Sequence, residues 1–249
     1  MYRERLVNTE VRSEGAHRLQ RLLLDYHDFR LHKAGHPLLS NTFTVAEWQA
    51  ERLKLTHQDL YQHPGYHTGL EFLLTDLYAP ASMTRRDDNI DRVFPKMVKW
   101  LPDHQLKMLA RLVELNLITQ QLDLELAELL DERNIPANSV TDEHYCEAYR
   151  ASQMLEQRKK QVVLVADVGQ QLDRYVRNRT LGWLLSMSRA PAEMANLSDL
   201  HNFLHRGYSA FRKMDNVDLL INRLVTREQQ VMDNILDGHP KPFMLPGDL

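Results

Sequence analysis

Cysteine is nearly absent from this sequence: Cys146 stands alone in 249 residues. A single thiol excludes an internal disulfide and suits a reducing compartment, so a cytoplasmic location is expected. Glycine is scarce, at nine, and no Asn-Gly or Asp-Gly pair lies between alternating apolar residues, which removes the strongest hairpin signal. No apolar run approaches the roughly 18–20 residues that a membrane-spanning helix needs. The opening stretch MYRERLVNTEVRSEG lacks the apolar core of a secretory leader, so no leader is expected. Charge of one sign is missing too. The net charge is −3, and the basic runs RVFPKMVK and EQRKKQ are short and interleaved with acids, which reads as solvated surface. Neither nucleic acid nor a membrane is expected as a partner.

Enzyme templates are equally absent. There is no GxGxxG, P-loop, GxSxG or HExxH pattern and no cysteine pair. Cys146, between Tyr145 and Glu147, has nothing beside it to favour a thiolate and reads as a small buried hydrophobe. No cofactor is expected.

What remains is helical periodicity over a chain that is 43% hydrophobic and 26% charged, an ordinary globular balance. The spacing predicts a helix from about Glu14 to Lys33, stopped by AGHP, where Gly35 suits a cap and Pro37 blocks continuation. TVAE predicts a second start, with Thr44 and Glu47 as a capping box, a helix running to about Gln62 with Val45, Trp48 and Leu55 inward, and a break at HPG. A third helix contains FLLTDLY and ends at YAP. A fourth, Asp87 to Trp100, carries Pro95, which should kink or split it. The fifth and longest runs from about Asp103 to Glu132, with Lys107, Arg111, Glu114, Gln121, Glu125 and Glu128 as its wet face. Thr141 caps the next helix, on which Tyr145 and Tyr149 sit one turn apart. QVVLVADVGQQLDRYV begins like a strand, but its flanks favour helix. Ser198 caps a helix bearing Phe203, Leu204, Tyr208, Phe211 and Met214, and a last helix spans about Val217 to Leu236. No linker or repeat divides the chain. The expectation is one all-α domain over residues 1–238, a bundle-like array of about eight to ten helices. An extended tail, residues 239–249, would offer Phe243, Met244 and Leu245 to a neighbour.

FLLTDLY, residues 72–78, resembles the signature of a bacterial protein family named for its FFLEELY motif. Three further blocks are similar to that family in the same order: WQAERLKLTHQDL, RRDDNIDRVFPKMV and SRAPAEMANLSDLHNFLHRGYSAFRKM. This chain departs from the motif at Leu73, Thr75 and Asp76, where the family has Phe, Glu and Glu. Losing one of two acids argues against a paired-carboxylate centre there. The resemblance implies a shared fold; it implies no activity, cofactor or catalytic residue.

The sharpest anomaly is Glu228. Its neighbours at helical spacing are Ile221, Leu224, Val225, Val231, Met232 and Ile235, so a carboxylate lies within an apolar stripe. It must be paired, hydrogen-bonded or protonated. One reading is a structural ion pair with Arg189 or Arg52; the other is a ligand-binding or acid–base carboxylate. Asp76 reads as a tether to Arg85 or Arg86, or as a site residue with Tyr78. Asn116, Thr119, Gln120 and Asp123 make a polar patch beside Leu112, Leu122 and Leu126, which suits a buried hydrogen-bond network or the lining of a small cavity. Among twelve histidines, His201 and His205 have chelating i, i+4 spacing, but no third ligand follows by any recognisable spacing, and no metal is expected. His57, His63 and His67 cluster near one loop without a ligand pattern.

Two function classes follow. One is a non-enzymatic helical module that binds a protein partner or a small ligand between helices, with a homodimer compatible. The other is an enzyme with a carboxylate–arginine site centred on Glu228, drawing on Arg52, Arg189, Asp76, Tyr78, Arg86 or Asp123. A cavity beside Glu228 with incomplete hydrogen bonding would favour a ligand or enzyme site, whereas a closed, fully paired cluster would favour the interaction module.

Overall fold

The computed structural model describes residues 2–77, 83–177, 182, 183, 186, 187, 189, 193 and 197–245, with the side chains of Tyr2, of residues 76–91 and of Leu200 left aside. Eleven α-helices and no strand occur among them. They are α1 (Tyr2–Asn8), α2 (Glu14–Ala34), α3 (Leu39–Thr56), α4 (Gln58–Gln62), α5 (His67–Phe72), α6 (Met83–Trp100), α7 (Asp103–Glu132), α8 (Asp142–Ala151), α9 (Leu155–Val176), α10 (Ser198–Arg212) and α11 (Val217–Leu236). The fold is all-α, with helices packed on helices.

The thirty-residue α7 is the axis. It packs against α2, α9, α3 and α8, and so buries residues around most of its circumference, Glu114 and Asp123 included. The wet face expected on α7 is therefore shared with neighbours. Glu114 is buried because α2 and α9 bring cations to it: Arg18 Nη2 at 2.6 Å and Lys160 Nζ at 2.5 Å. A row of polar residues at helical spacing looks solvated until another helix supplies its partners.

Several boundaries move for local reasons. Helix α3 starts at Leu39, so Thr44 lies inside it and its hydroxyl donates to the Ser40 carbonyl at 3.3 Å instead of capping. Thr42 makes the same bond to Leu38 at 3.0 Å, which lets a polar, β-branched stretch sit in the first turns. The helix expected to reach Gln62 breaks at His57, which ends α3 and begins α4. Helix α6 runs through Pro95 as one element. Ser198 is the first residue of α10, preceded by Leu197, and makes no side-chain cap. Thr141 caps α8 as expected, accepting from the His144 backbone N–H at 3.2 Å. FLLTDLY continues α5 as a π-helical turn over Leu73–Leu77.

The tail turns back onto its own chain. Phe243 stands edge-on to Trp48, ring centres 6.3 Å apart, and to Tyr145 at 5.9 Å. Asn234 Nδ2 donates to the Pro242 carbonyl at 3.1 Å. Phe243 and Leu245 pack on the core of α3, α7, α8 and α11, so only Met244 of the three expected docking residues stays exposed.

Helices α9 and α11 meet where α9 carries Gly169. A Cβ there would stand 2.5 Å from Cγ1 and 2.6 Å from Cγ2 of the buried Ile221. Replacing Gly169 by Ala gains about 1 kcal/mol of helix propensity, but overpacking costs about 1–3 kcal/mol, and a β-branched side chain buried on α11 has little room to turn. Gly169→Ala is expected to lose about 1 kcal/mol, read as a lower urea midpoint at unchanged slope. A raised midpoint would mean that Ile221 repacks freely.

Candidate functional site

Helix α11 is set by its cap: the Asn216 side chain accepts from the Leu219 N–H at 2.9 Å. From that start the helix turns Leu220, Ile221, Leu224, Val231, Met232 and Ile235 inward, and the same rotation carries Glu228 against α3. There Arg52 Nη1 donates to Oε1 and Oε2 of Glu228 at 2.7 and 2.8 Å. His57 Nε2 stands 2.8 Å from Oε1; a carboxylate only accepts, so Nε2 carries the hydrogen. Burial by itself would raise the Glu228 pKa, but the Arg52 charge and the His57 hydrogen bond outweigh it and hold the carboxyl at about 2. The preceding residue makes a second pair of opposite polarity: Arg227 Nη1 and Nη2 donate to the two Asp59 oxygens at 2.7 and 2.8 Å. Two successive residues of α11 thus clamp the α3–α4 elbow with opposite charges. A slip of one residue would set Glu228 against Asp59, so the clamp selects the register.

One turn before Arg52, Gln49 continues the polar chain. Its Nε2 donates to Asp123 Oδ1 of α7 at 2.6 Å, and Tyr145 of α8 donates its hydroxyl to Gln49 Oε1 at 3.2 Å. Further along α7, Gln120 Nε2 donates to Tyr26 Oη at 2.7 Å and accepts from Lys33 Nζ at 3.2 Å. Burial pushes the Lys33 pKa down, against the opposing charge of Asp123. Thr119 accepts from Gln161 of α9 at 2.7 Å. The polar patch of α7 therefore joins α2, α3, α8 and α9.

Between these groups lies a cavity of about 50 Å³, room for a few waters or a very small molecule. Gln49, Arg52, Tyr145, Tyr149, Arg158 and Glu228 line it, with Val162, Val231, Met232 and Ile235 as its apolar part. Arg158 has an unusual position. It is only 4% exposed, and its guanidinium carbon lies 4.1 Å from the centre of the Tyr149 ring, a cation–π contact. Its Nε and Nη2 have no hydrogen-bond partner. The nearest acid is Glu125, with Oε2 at 3.7 Å from Nη2, beyond hydrogen-bond range. Glu125 accepts instead from the Ser152 hydroxyl at 2.5 Å and the Gln153 N–H at 3.0 Å.

The structure brings Glu228 and Arg52 together and places Asp123 behind them through Gln49. Arg189, the other partner expected for Glu228, is 76% exposed along its side chain and pairs with Glu193 at 3.2 Å. It lies four residues before that acid on its own segment, which satisfies it locally. Tyr78 and the side chains of Asp76, Arg85 and Arg86 fall outside the described residues. His201 is buried and His205 exposed, with near-parallel rings 6.2 Å apart. Among the described residues no three His, Cys, Asp or Glu side chains group to hold a metal ion. Cys146 is buried, and burial pushes its thiol up to about 11.

Arg158 and His57 are the site residues that sequence reasoning missed. Arg158 belongs to EQRKKQ, expected to be solvated; Lys159 and Lys160 beside it are exposed, but Arg158 turns inward. A signal was present. Leu155, Val162 and Val165 stand at −3, +4 and +7, so Arg158 shares a face with apolar residues. His57 carried no comparable signal, because it sits at a helix break.

Removing one partner of a mostly buried pair leaves the other charge uncompensated. Glu228→Gln is expected to lose about 2–3 kcal/mol at pH 7 by urea unfolding. The Glu228 pKa is lowered on folding, so its contribution is complete above the unfolded value and fades as pH falls from about 5 toward about 2. The stability gap between wild type and Glu228→Gln should close over that interval. A gap independent of pH would place the stabilisation elsewhere.

No helix among the described residues is long and apolar enough to cross a membrane. No curated protein and no solved structure matches the chain. A family model described as a domain of unknown function (DUF8198) matches residues 28–242, and the chain belongs to that family.

Proposed function

We propose that this protein is a non-enzymatic helical module that binds a small ligand in the cavity walled by α3, α8, α9 and α11. The observation that carries this reading is Arg158: a buried cation whose Nε and Nη2 lack hydrogen-bond partners, lining a cavity that also holds a carboxylate, two amides and two phenols. Leaving buried donors of a charged group unsatisfied is costly, and a ligand that accepts from them would recover that cost on binding.

The same geometry speaks against an acid–base enzyme centred on Glu228. A carboxyl held at about 2 has no proton to give at neutral pH and is a weak base. Its oxygens already accept from Arg52 and His57. A protein partner gathers less support, because Phe243 and Leu245, the residues best suited to reach a neighbour, pack on this chain's own core.

Native mass spectrometry of the purified full chain, set against its denatured mass, tests the proposal. An added mass that leaves on denaturation is expected, or failing that a small molecule from a metabolite panel that raises the melting temperature. Turnover of a bound molecule, or a bare mass with no stabilising molecule in the panel, would overturn it.

A further inference from the structure

The chemistry of the ligand can be read from the open groups, on the reading that the cavity is a small-molecule site. Nε and Nη2 form the side-on edge of a guanidinium, the edge that donates two parallel hydrogen bonds to a two-oxygen acceptor. These are the two nitrogens of Arg158 without partners. The face of the same guanidinium is occupied by Tyr149, which fixes its plane. Arg158 is 96% buried by difference from its 4% exposure, so an acceptor that reached it would be shielded from competing water. The fork is thus held in orientation and lacks only its counterpart.

Charge and size narrow the class. Arg52 and Arg158 bring two positive charges to the cavity wall, and Glu228 brings one negative. The wall therefore carries one positive charge in excess, which suits a monoanion. A dianion would face the Glu228 carboxylate with an uncompensated charge of its own. Arg52 is already committed to both oxygens of Glu228, so it is Arg158 that has donors for a guest. A volume of about 50 Å³ excludes nucleotides, sugars and amino acids with large side chains. The wall is also part apolar: Val162, Val231, Met232 and Ile235 complete the lining, and a short hydrocarbon end can lie against them.

We infer that the cavity binds a short-chain monocarboxylate, its two oxygens accepting from Nε and Nη2 of Arg158 and its alkyl end resting among Val231, Met232 and Ile235. The inference rests on the small-ligand reading proposed above and adds the ligand's class and its anchor. Two features support a planar carboxylate over a tetrahedral oxyanion: the single excess charge of the wall and the apolar side opposite the fork.

The test is carbon-13 NMR of labelled acetate added to the full chain at neutral pH, with chloride holding the ionic strength constant. Saturable broadening or a shift of the carboxylate resonance is expected. Acetamide, equal in shape but neutral, should bind at least tenfold more weakly. Arg158→Lys keeps the charge and loses the fork, and should weaken acetate at least tenfold while circular dichroism shows an unchanged helical content. If that variant fails to fold, the acetate–acetamide comparison on the wild-type chain still decides. Equal binding of acetate and acetamide would overturn the inference, as would undiminished acetate binding by a folded Arg158→Lys. Preference for inorganic phosphate over acetate would overturn it as well. Absence of acetate binding in a chain whose native mass carries some other small molecule would overturn the carboxylate and leave the proposed function standing. Absence of both would remove the two together.

Discussion

The carboxylate of Glu228 is tolerated where it lies because Arg52 and His57 reach it from another helix. A charge in an apolar stripe costs several kcal/mol unless paired, and the pairing here spans the chain from residue 52 to residue 228. Everything that places those groups follows from that need. Helix α3 must present Arg52 toward α11, and the break at His57 must aim an imidazole at the same oxygen. The neighbouring Arg227–Asp59 pair adds the reversed polarity and so distinguishes the native register from its slips. Electrostatics selects the docking of α11, while the apolar residues around it supply most of the driving force.

The same arrangement divides the two arginines of the cavity by role. Arg52 is spent on an internal acid and acts as part of the scaffold. Arg158 sits on a phenol ring with an acid at 3.7 Å that is already bonded elsewhere. The difference is one of geometry. Both are buried cations near carboxylates, but only one has a carboxylate within hydrogen-bond distance of its fork. That contrast points the chemistry of the cavity toward a guest and away from Glu228 as a reacting group.

The buried polar chain through α7 explains why the cavity can persist. Asp123, Gln49 and Tyr145 are bonded in sequence, and Gln120 with Tyr26 and Lys33 continues the polar layer further along α7. Satisfied networks of this kind resist collapse, because closing the space would break bonds that water cannot replace. The tail contributes from the other side. Phe243 covers Trp48 and Tyr145, and the Arg52 guanidinium lies 5.5 Å from its ring centre, so the last described residues help to seal the pair that holds α11.

Periodicity alone determined that this chain is all-α, where its long helices run and that Glu228 stands in an apolar stripe, because those properties depend on residues within a few turns of one another. Asp103–Glu132 and Val217–Leu236 follow from that spacing. The polar patch at Asn116, Thr119, Gln120 and Asp123 was legible for the same reason. Tertiary structure decided which of two arginines meets Glu228, because the choice between Arg52 and Arg189 turns on how distant helices dock. It also decided that Glu114 and Arg158, each in a run that reads as solvated, lie inside. A helix's own sequence records which face is polar. It does not record whether the partner of that face is water or another helix, and in this protein that distinction separates the surface from the cavity.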